Sequence, residues 1–190
     1  MKTIVTAITT ACLLVAGSAS ARTYEIDPVH SSIAFFIDHI GYNKILGVVN
    51  EYAGEFDFDA SSPEASSLNV KLKVTSINTN SKQRDGDIQG ADWFNSAEFP
   101  EITFAGKAFK RTGETTGLIT GDLTIAGITR EVSLDTVFNR EGDNPFDKTH
   151  VIGFSARATL LRSDFGMKTY LPLVGDKVDL VLEIGGTAKN

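Results

Sequence analysis

The sequence predicts an all-β protein, a single antiparallel barrel of about eight strands with one or two short helical segments. Three features carry that expectation. Apolar and polar residues alternate with period two in segment after segment, turn-forming clusters separate those segments, and no long helix-period stretch lies between them that could serve as a parallel crossover.

The chain opens with a segment set apart from the fold. Met1-Lys2 gives a short positive start, Ile4 to Ala16 is apolar apart from threonines and Cys12, and Ala19-Ser20-Ala21 supplies small residues at a cleavage position. Residues 1–21 are therefore expected to be a cleaved signal peptide, and 22–190 the folded domain. The apolar run is shorter than the roughly 18 to 20 residues that span a bilayer, so a membrane anchor is the weaker reading. Removing those 21 residues from the 190, Lys2 among them, leaves 169 with a formal charge of −7 in place of −6.

Beyond Arg22 the strands follow in order. The first lies around Ile33 to Ile40. Ile33, Phe35, Ile37 and His39 share one face, yet Ala34, Phe36 and Ile40 are apolar as well, so the pattern alone does not separate its two sides. Tyr52, Gly54, Phe56 and Phe58 alternate with Ala53, Glu55, Asp57 and Asp59. Leu68 to Thr75 is the cleanest case, with aliphatics at every even position and polar residues at every odd one, so one face is dry and the other wet. Gln83 to Ala97 breaks the alternation, and Ile88, Ala91, Trp93 and Phe94 mark one apolar side of a short helical segment. The alternation resumes at Ile102 and Phe104, then at Ile119, Leu123 and Ile125, and at Val132, Leu134 and Phe138. Ile152 to Leu160 and Val178 to Ile184 complete the set. Ser61-Ser62-Pro63, Thr112-Gly113-Glu114, Ala126-Gly127-Ile128 and Glu141 to Pro145 supply the turns.

An antiparallel sheet of this size must close on itself or split into two packed layers. Closure is the first choice, because about eight strands enclose a space that side chains fill or that holds one small ligand. A sandwich with a solid core shares the same periodicity.

Composition narrows the function. The balance of 18 basic against 24 acidic residues disfavours nucleic acid and anionic membrane surfaces as partners. Cys12 is the one cysteine and lies in the segment expected to be removed, so thiol catalysis and zinc-thiolate or iron-sulfur sites have no ligands in the mature chain. His30, His39 and His150 show no zinc-motif spacing. No Gly-x-Ser-x-Gly elbow, P-loop or dinucleotide fingerprint is present, and Asp164-Phe165-Gly166 lacks every companion of the kinase signature it imitates. Arg84 and Asp85, beside Asp87 and Asp92, read either as a charged helix cap or as an acid-base cluster at a pocket mouth; the cap is favoured.

A longer pattern runs through the chain: Tyr24 to Phe35 (YEIDPVHSSIAF), His39-Ile40-Gly41, Gly47, Phe56 to Asp59, Val74 to Thr79, Arg84-Asp85, Ala91 to Phe94, Phe99 to Phe104, Gly121 to Thr129 and Arg162 to Gly166. Together these segments resemble the YceI family of bacterial periplasmic lipid-binding proteins. The resemblance implies an extended lipocalin-like barrel whose apolar tunnel holds a polyisoprenoid, an isoprenoid quinone or a similar long-chain amphiphile. It implies a carrier or sequestering protein in the periplasm, commonly without a catalytic step or covalent cofactor, in some members dimeric and linked to stress responses. One departure is visible: where the family often reads Arg-Asp-x-His-Leu, this chain has Arg84-Asp85-Gly86-Asp87-Ile88.

Alternation and resemblance together nominate a lipid-binding set. Phe35, Ile37, Phe56, Val70, Leu72, Phe104, Leu123, Phe154, Leu180 and Leu182 are expected to line the tunnel. Trp93 and Phe94 are expected near its mouth, with His39 and Arg84 as head-group candidates. No catalytic residue, metal, nucleic acid or integral membrane span is expected. Two other readings stay open: an extracytoplasmic enzyme acting on the same lipid with His30, His39, Asp85 and Asp87, and a filled barrel acting through a protein partner.

Overall fold

The computed structural model describes residues 21–189, so the expected signal peptide, apart from Ala21, lies outside the described residues together with Cys12. Eleven strands form one antiparallel sheet: β1 (Arg22–Ile26), β2 (Ser32–His39), β3 (Asn43–Val49), β4 (Tyr52–Phe58), β5 (Ser67–Lys73), β6 (Ile77–Asn78), β7 (Glu101–Arg111), β8 (Thr116–Ile125), β9 (Ile128–Asp143), β10 (His150–Leu161) and β11 (Val174–Ala188). One short helix, α1 (Lys82–Asp87), and three 3-10 turns complete the described elements.

Eleven strands against an expected eight is a matter of breaks. β1 and β2 lie end to end along β11, with Ile26 opposite Gly186 and Ser32 opposite Glu183. β3 and β4 follow that pair, with Val49 opposite Ile33 and Glu55 opposite Glu25. β5 and β6 then follow β4 and β3, through Leu72 opposite Tyr52 and Ile77 opposite Val49. The molecule is therefore a meander of eight long strands, three of them kinked, and β1 pairing with β11 closes it. Closure removes the sheet edges that would otherwise template aggregation.

Polar side chains fill the breaks. Ser31 Oγ accepts from the Gly185 N–H (2.9 Å), and Tyr52 Oη donates to Ser31 O (2.7 Å). Ser76 Oγ accepts from the Glu51 N–H (2.9 Å) and donates to Lys73 O (2.7 Å), so backbone groups left by the interrupted ladder keep partners.

The expected helical segment over 83–97 is shorter than its apolar pattern suggests. Ser81 caps α1 by accepting from the Arg84 N–H, but the helix ends at Asp87, and tight turns carry the chain to Phe99. Gly86 and Gly90 weaken helix continuation there. Two buried clusters hold the barrel: one around Val74, Ile77, Ile102, Phe104, Leu123, Phe165 and Met167, the other around Tyr24, Ile26, Phe56 and Ile152. Among the described residues no helix is long and apolar enough to cross a membrane.

Candidate functional site: an apolar cavity through the barrel

The alternation of the strands has one geometric result. Leu68, Val70 and Leu72 turn inward while Asn69, Lys71 and Lys73 are exposed, and the same division repeats around the ring. The inward side chains do not meet in the middle. They enclose a cavity of about 1150 Å³, lined by residues from both ends of the barrel. That is above the roughly 300 to 1,000 Å³ of ordinary small-molecule pockets.

Each residue nominated from the sequence lies on this wall. Phe35 and Ile37 come from β2, Phe56 from β4, and Val70 and Leu72 from β5. Phe104, Leu123 and Phe154 come from β7, β8 and β10, with Leu180 and Leu182 from β11. Trp93, Phe94, His39 and Arg84 stand at the upper end, where the β2–β3 turn, the 79–100 connection and the β10–β11 loop meet. In the first long strand Ile33, Phe35, Ile37 and His39 line the cavity as their shared parity predicts, Phe36 and Ile40 do not, and Ala34 and Asp38 of the opposite parity also border it. Phe35 packs over Gly47 on the neighbouring strand, where an added methyl group would collide with the tip of the ring. Glycine at 47 thus makes room for that wall.

At the lower end Phe56, Phe58, Phe138 and Phe154 pack against one another with ring centroids 5.1 to 5.9 Å apart, stacked or edge to face. All four line the cavity, so its lower part has an aromatic wall.

Polar groups border both ends, Asp57, Ser67, Arg111 and Glu114 among them at the lower one, and those of the upper end are not equivalent. Arg84 donates through Nε to Thr79 Oγ1 (2.8 Å) and through Nη2 to Thr79 O (2.6 Å), while Asp85 accepts from the Thr79 N–H and hydroxyl (2.7 and 2.6 Å). The pair therefore organises the start of the helical connection, as the cap reading requires, although Arg84 also borders the cavity. Asp87, at the position of the departure from the YceI pattern, borders it too.

Arg162 was not among the nominated residues. It is 3% exposed and lines the cavity. Its guanidinium donates to the carbonyls of Gly175, Met167, Thr169 and Val174 at 2.8 to 2.9 Å, and lies 4.9 Å from the centre of the Trp93 ring. No carboxylate bonds to it directly, since Asp176 is taken up by Ser163. Burial pulls its pKa below the ordinary guanidinium value, with Asp176 partly opposing. The signal was present in the sequence: Ala156, Ala158, Leu160 and Arg162 share parity, which extends the inward face by one more residue.

The three histidines have separate fates. His30 is an exposed turn residue whose Nδ1 lies 2.6 Å from Asp27 Oδ2. His39 borders the cavity, and His150 sits at the lower seam between Glu141 and Asp143.

An up-and-down barrel of eight long strands around an apolar cavity defines a lipocalin-like barrel. Residues 24–185 match the YceI-like domain family, and the chain belongs to that family. It is 40% identical over 179 residues to the UPF0312 protein of Pseudomonas savastanoi pv. phaseolicola, covering 93% of this chain and 92% of that one. The crystal structure of the Campylobacter jejuni YceI protein matches with a TM-score of 0.74 and 30% identity, over 80% of this chain and 90% of that one. A polyisoprenoid binding domain from Saccharophagus degradans shares the fold, with a TM-score of 0.67 at 14% identity over 87% of this chain and 98% of that one.

Proposed function

We propose that this protein is exported to the periplasm by its N-terminal signal peptide and holds a polyisoprenoid, an isoprenoid quinone or a similar long-chain amphiphile for transport, storage or sequestration, without a catalytic step. The observation that carries the reading is the cavity of about 1150 Å³, apolar through its middle and bordered by polar groups toward its ends. Such a space suits a long hydrocarbon with a small head. Each 100 Å² of apolar ligand surface buried there contributes about 2.5 kcal/mol before ordering costs, so a long chain binds tightly without catalytic groups. The Saccharophagus degradans neighbour, a polyisoprenoid binding domain, supports the same ligand class.

Mass spectrometry of organic extracts from the purified protein tests this. An intact isoprenoid lipid near unit stoichiometry is the expected result. Replacing Leu182 or Phe104 with Glu is expected to remove it, because a carboxylate in the dry wall costs several kcal/mol, while the exposed His30→Gln control keeps it. Far-UV circular dichroism confirms that the variants fold. A chemically altered lipid in the extract favours the enzyme reading, and an empty protein refutes the holding role.

A further inference from the structure

Nine large hydrophobic side chains are exposed among the described residues, and four of them sit on one rim. Ile40 is 47% exposed, Tyr42 88%, Tyr170 67% and Leu173 60%. Ile40 and Tyr42 belong to the β2–β3 turn, and Tyr170 and Leu173 to the β10–β11 loop. The Ile40 N–H donates to Leu173 O (2.8 Å), which ties the two loops together at the end where His39, Trp93 and Tyr170 border the cavity.

The backbone makes this arrangement costly. Ile40 has φ 59° and Gly41 φ 72°, a turn in which both central residues are left-handed. Asn or Gly adopts that conformation readily, whereas a β-branched residue is strained. Ala126 accepts a similar φ of 48° in the β8–β9 turn, but it packs against the core. Ile40 belongs to neither buried cluster and does not line the cavity. Strain without internal compensation points outward, to something the side chain meets when the protein works.

We propose that this rim docks on an electrically neutral, zwitterionic lipid bilayer, so that the cavity mouth opens onto the lipid from which its ligand is exchanged. The proposal rests on reading the cavity as a lipid holder. Two aliphatic and two tyrosine side chains are the residue types that partition into a bilayer interface, where tyrosine keeps its hydroxyl wet. Charge selects the kind of lipid. Lys44 is already bonded to Asp179 (2.8 Å), Arg84 is turned onto Thr79, and Lys82 and Lys168 share this end with Asp38, Asp87, Asp92 and Asp164. Carboxylates outnumber the unpaired cations there, so anionic headgroups are not favoured.

Flotation of the purified chain with phosphatidylcholine vesicles tests the rim. Wild type is expected to float with them, and the double variant Ile40→Asn, Leu173→Ser to lose about tenfold in partition while its extracted lipid content stays the same. Ile40→Asn alone is expected to raise the thermal midpoint by roughly 2 to 4 °C by relieving the turn. Unchanged partition of the double variant, flotation only with anionic vesicles, or a concentration-dependent dimer that Ile40→Asn dissociates each overturns the proposal. A lipid-free protein that still floats with neutral vesicles, and stops doing so in the variant, upholds the rim and counts against the holding role instead.

Discussion

Arg162 brings a full positive charge into the barrel wall and surrounds it with carbonyl oxygens, four of them within 2.9 Å, and with the face of Trp93. The arrangement folds the β10–β11 loop around a single side chain, since its acceptors span Met167 to Gly175. Replacing it with Met leaves those carbonyls without their donor at a cost near 1 kcal/mol apiece, so Arg162→Met is expected to lose about 3 kcal/mol or more in urea unfolding. Lysine reaches fewer of them and is expected to recover only part. A loss below about 1 kcal/mol would mean that water replaces the guanidinium. The inward direction of this residue is legible from strand parity, but its partners are not, because they belong to a loop whose path no periodicity describes.

At the scale of elements, the seam that closes the ring shows how local chemistry fixes topology. Tyr24 on β1 reaches across the lower end and donates to Glu141 Oε1 (2.6 Å), and His150 bridges Glu141 (3.0 Å) and Asp143 (2.9 Å). Donating from both ring nitrogens requires the imidazolium form. Burial, then the bond to Glu141, pushes the Tyr24 hydroxyl up to about 12, so it stays a neutral donor. The bonds to Glu141 and then Asp143 raise the His150 pKa above its usual 6.5. Burial alone would raise Glu141, but the bonds from Tyr24 and His150 outweigh it and hold the carboxyl below its usual 4.5. The His150 contribution is therefore fully present below pH 6.5 and is lost as pH rises through its raised value. The Glu141 contribution is present above pH 4.5 and is lost as pH falls through its lowered value. The seam is strongest between those limits, and His150→Gln is expected to lower the thermal midpoint by roughly 2 to 4 °C at pH 5.5 and by clearly less at pH 8.5. An equal difference at both pH values rules the ionic seam out. The sequence marks Tyr24 as inward by parity with Ile26, yet the partnership with residues 117 and 126 positions further on exists only once β1 meets β11 and β10.

Taken whole, the molecule is a closed sheet around a cavity of about 1150 Å³, so under the proposed holding role a bound lipid adds to its stability. A ligand at a hundred times its dissociation constant adds about 2.7 kcal/mol to a protein that binds it only when folded. Stripping the cavity with organic solvent and refolding is therefore expected to lower the thermal midpoint by roughly 5 to 10 °C, restored on adding back an isoprenoid lipid. A midpoint indifferent to lipid would speak against occupancy. By itself the sequence determined eight strand segments, the inward face of most of them and the antiparallel order, because side-chain alternation and turn chemistry are local properties of the chain; β1, β3 and β6 and the inward side of β2 were not legible in it. It also placed Trp93 and Phe94 beside the cavity, although the helix expected to carry them stops at Asp87. Only the tertiary structure decided that the sheet closes, that three long strands break where Ser31 and Ser76 bridge them, and that the dry faces stand apart around open space. A solid sandwich and a hollow barrel share one alternation pattern, and what separates them is the curvature accumulated over eight paired strands, a property that no single strand possesses.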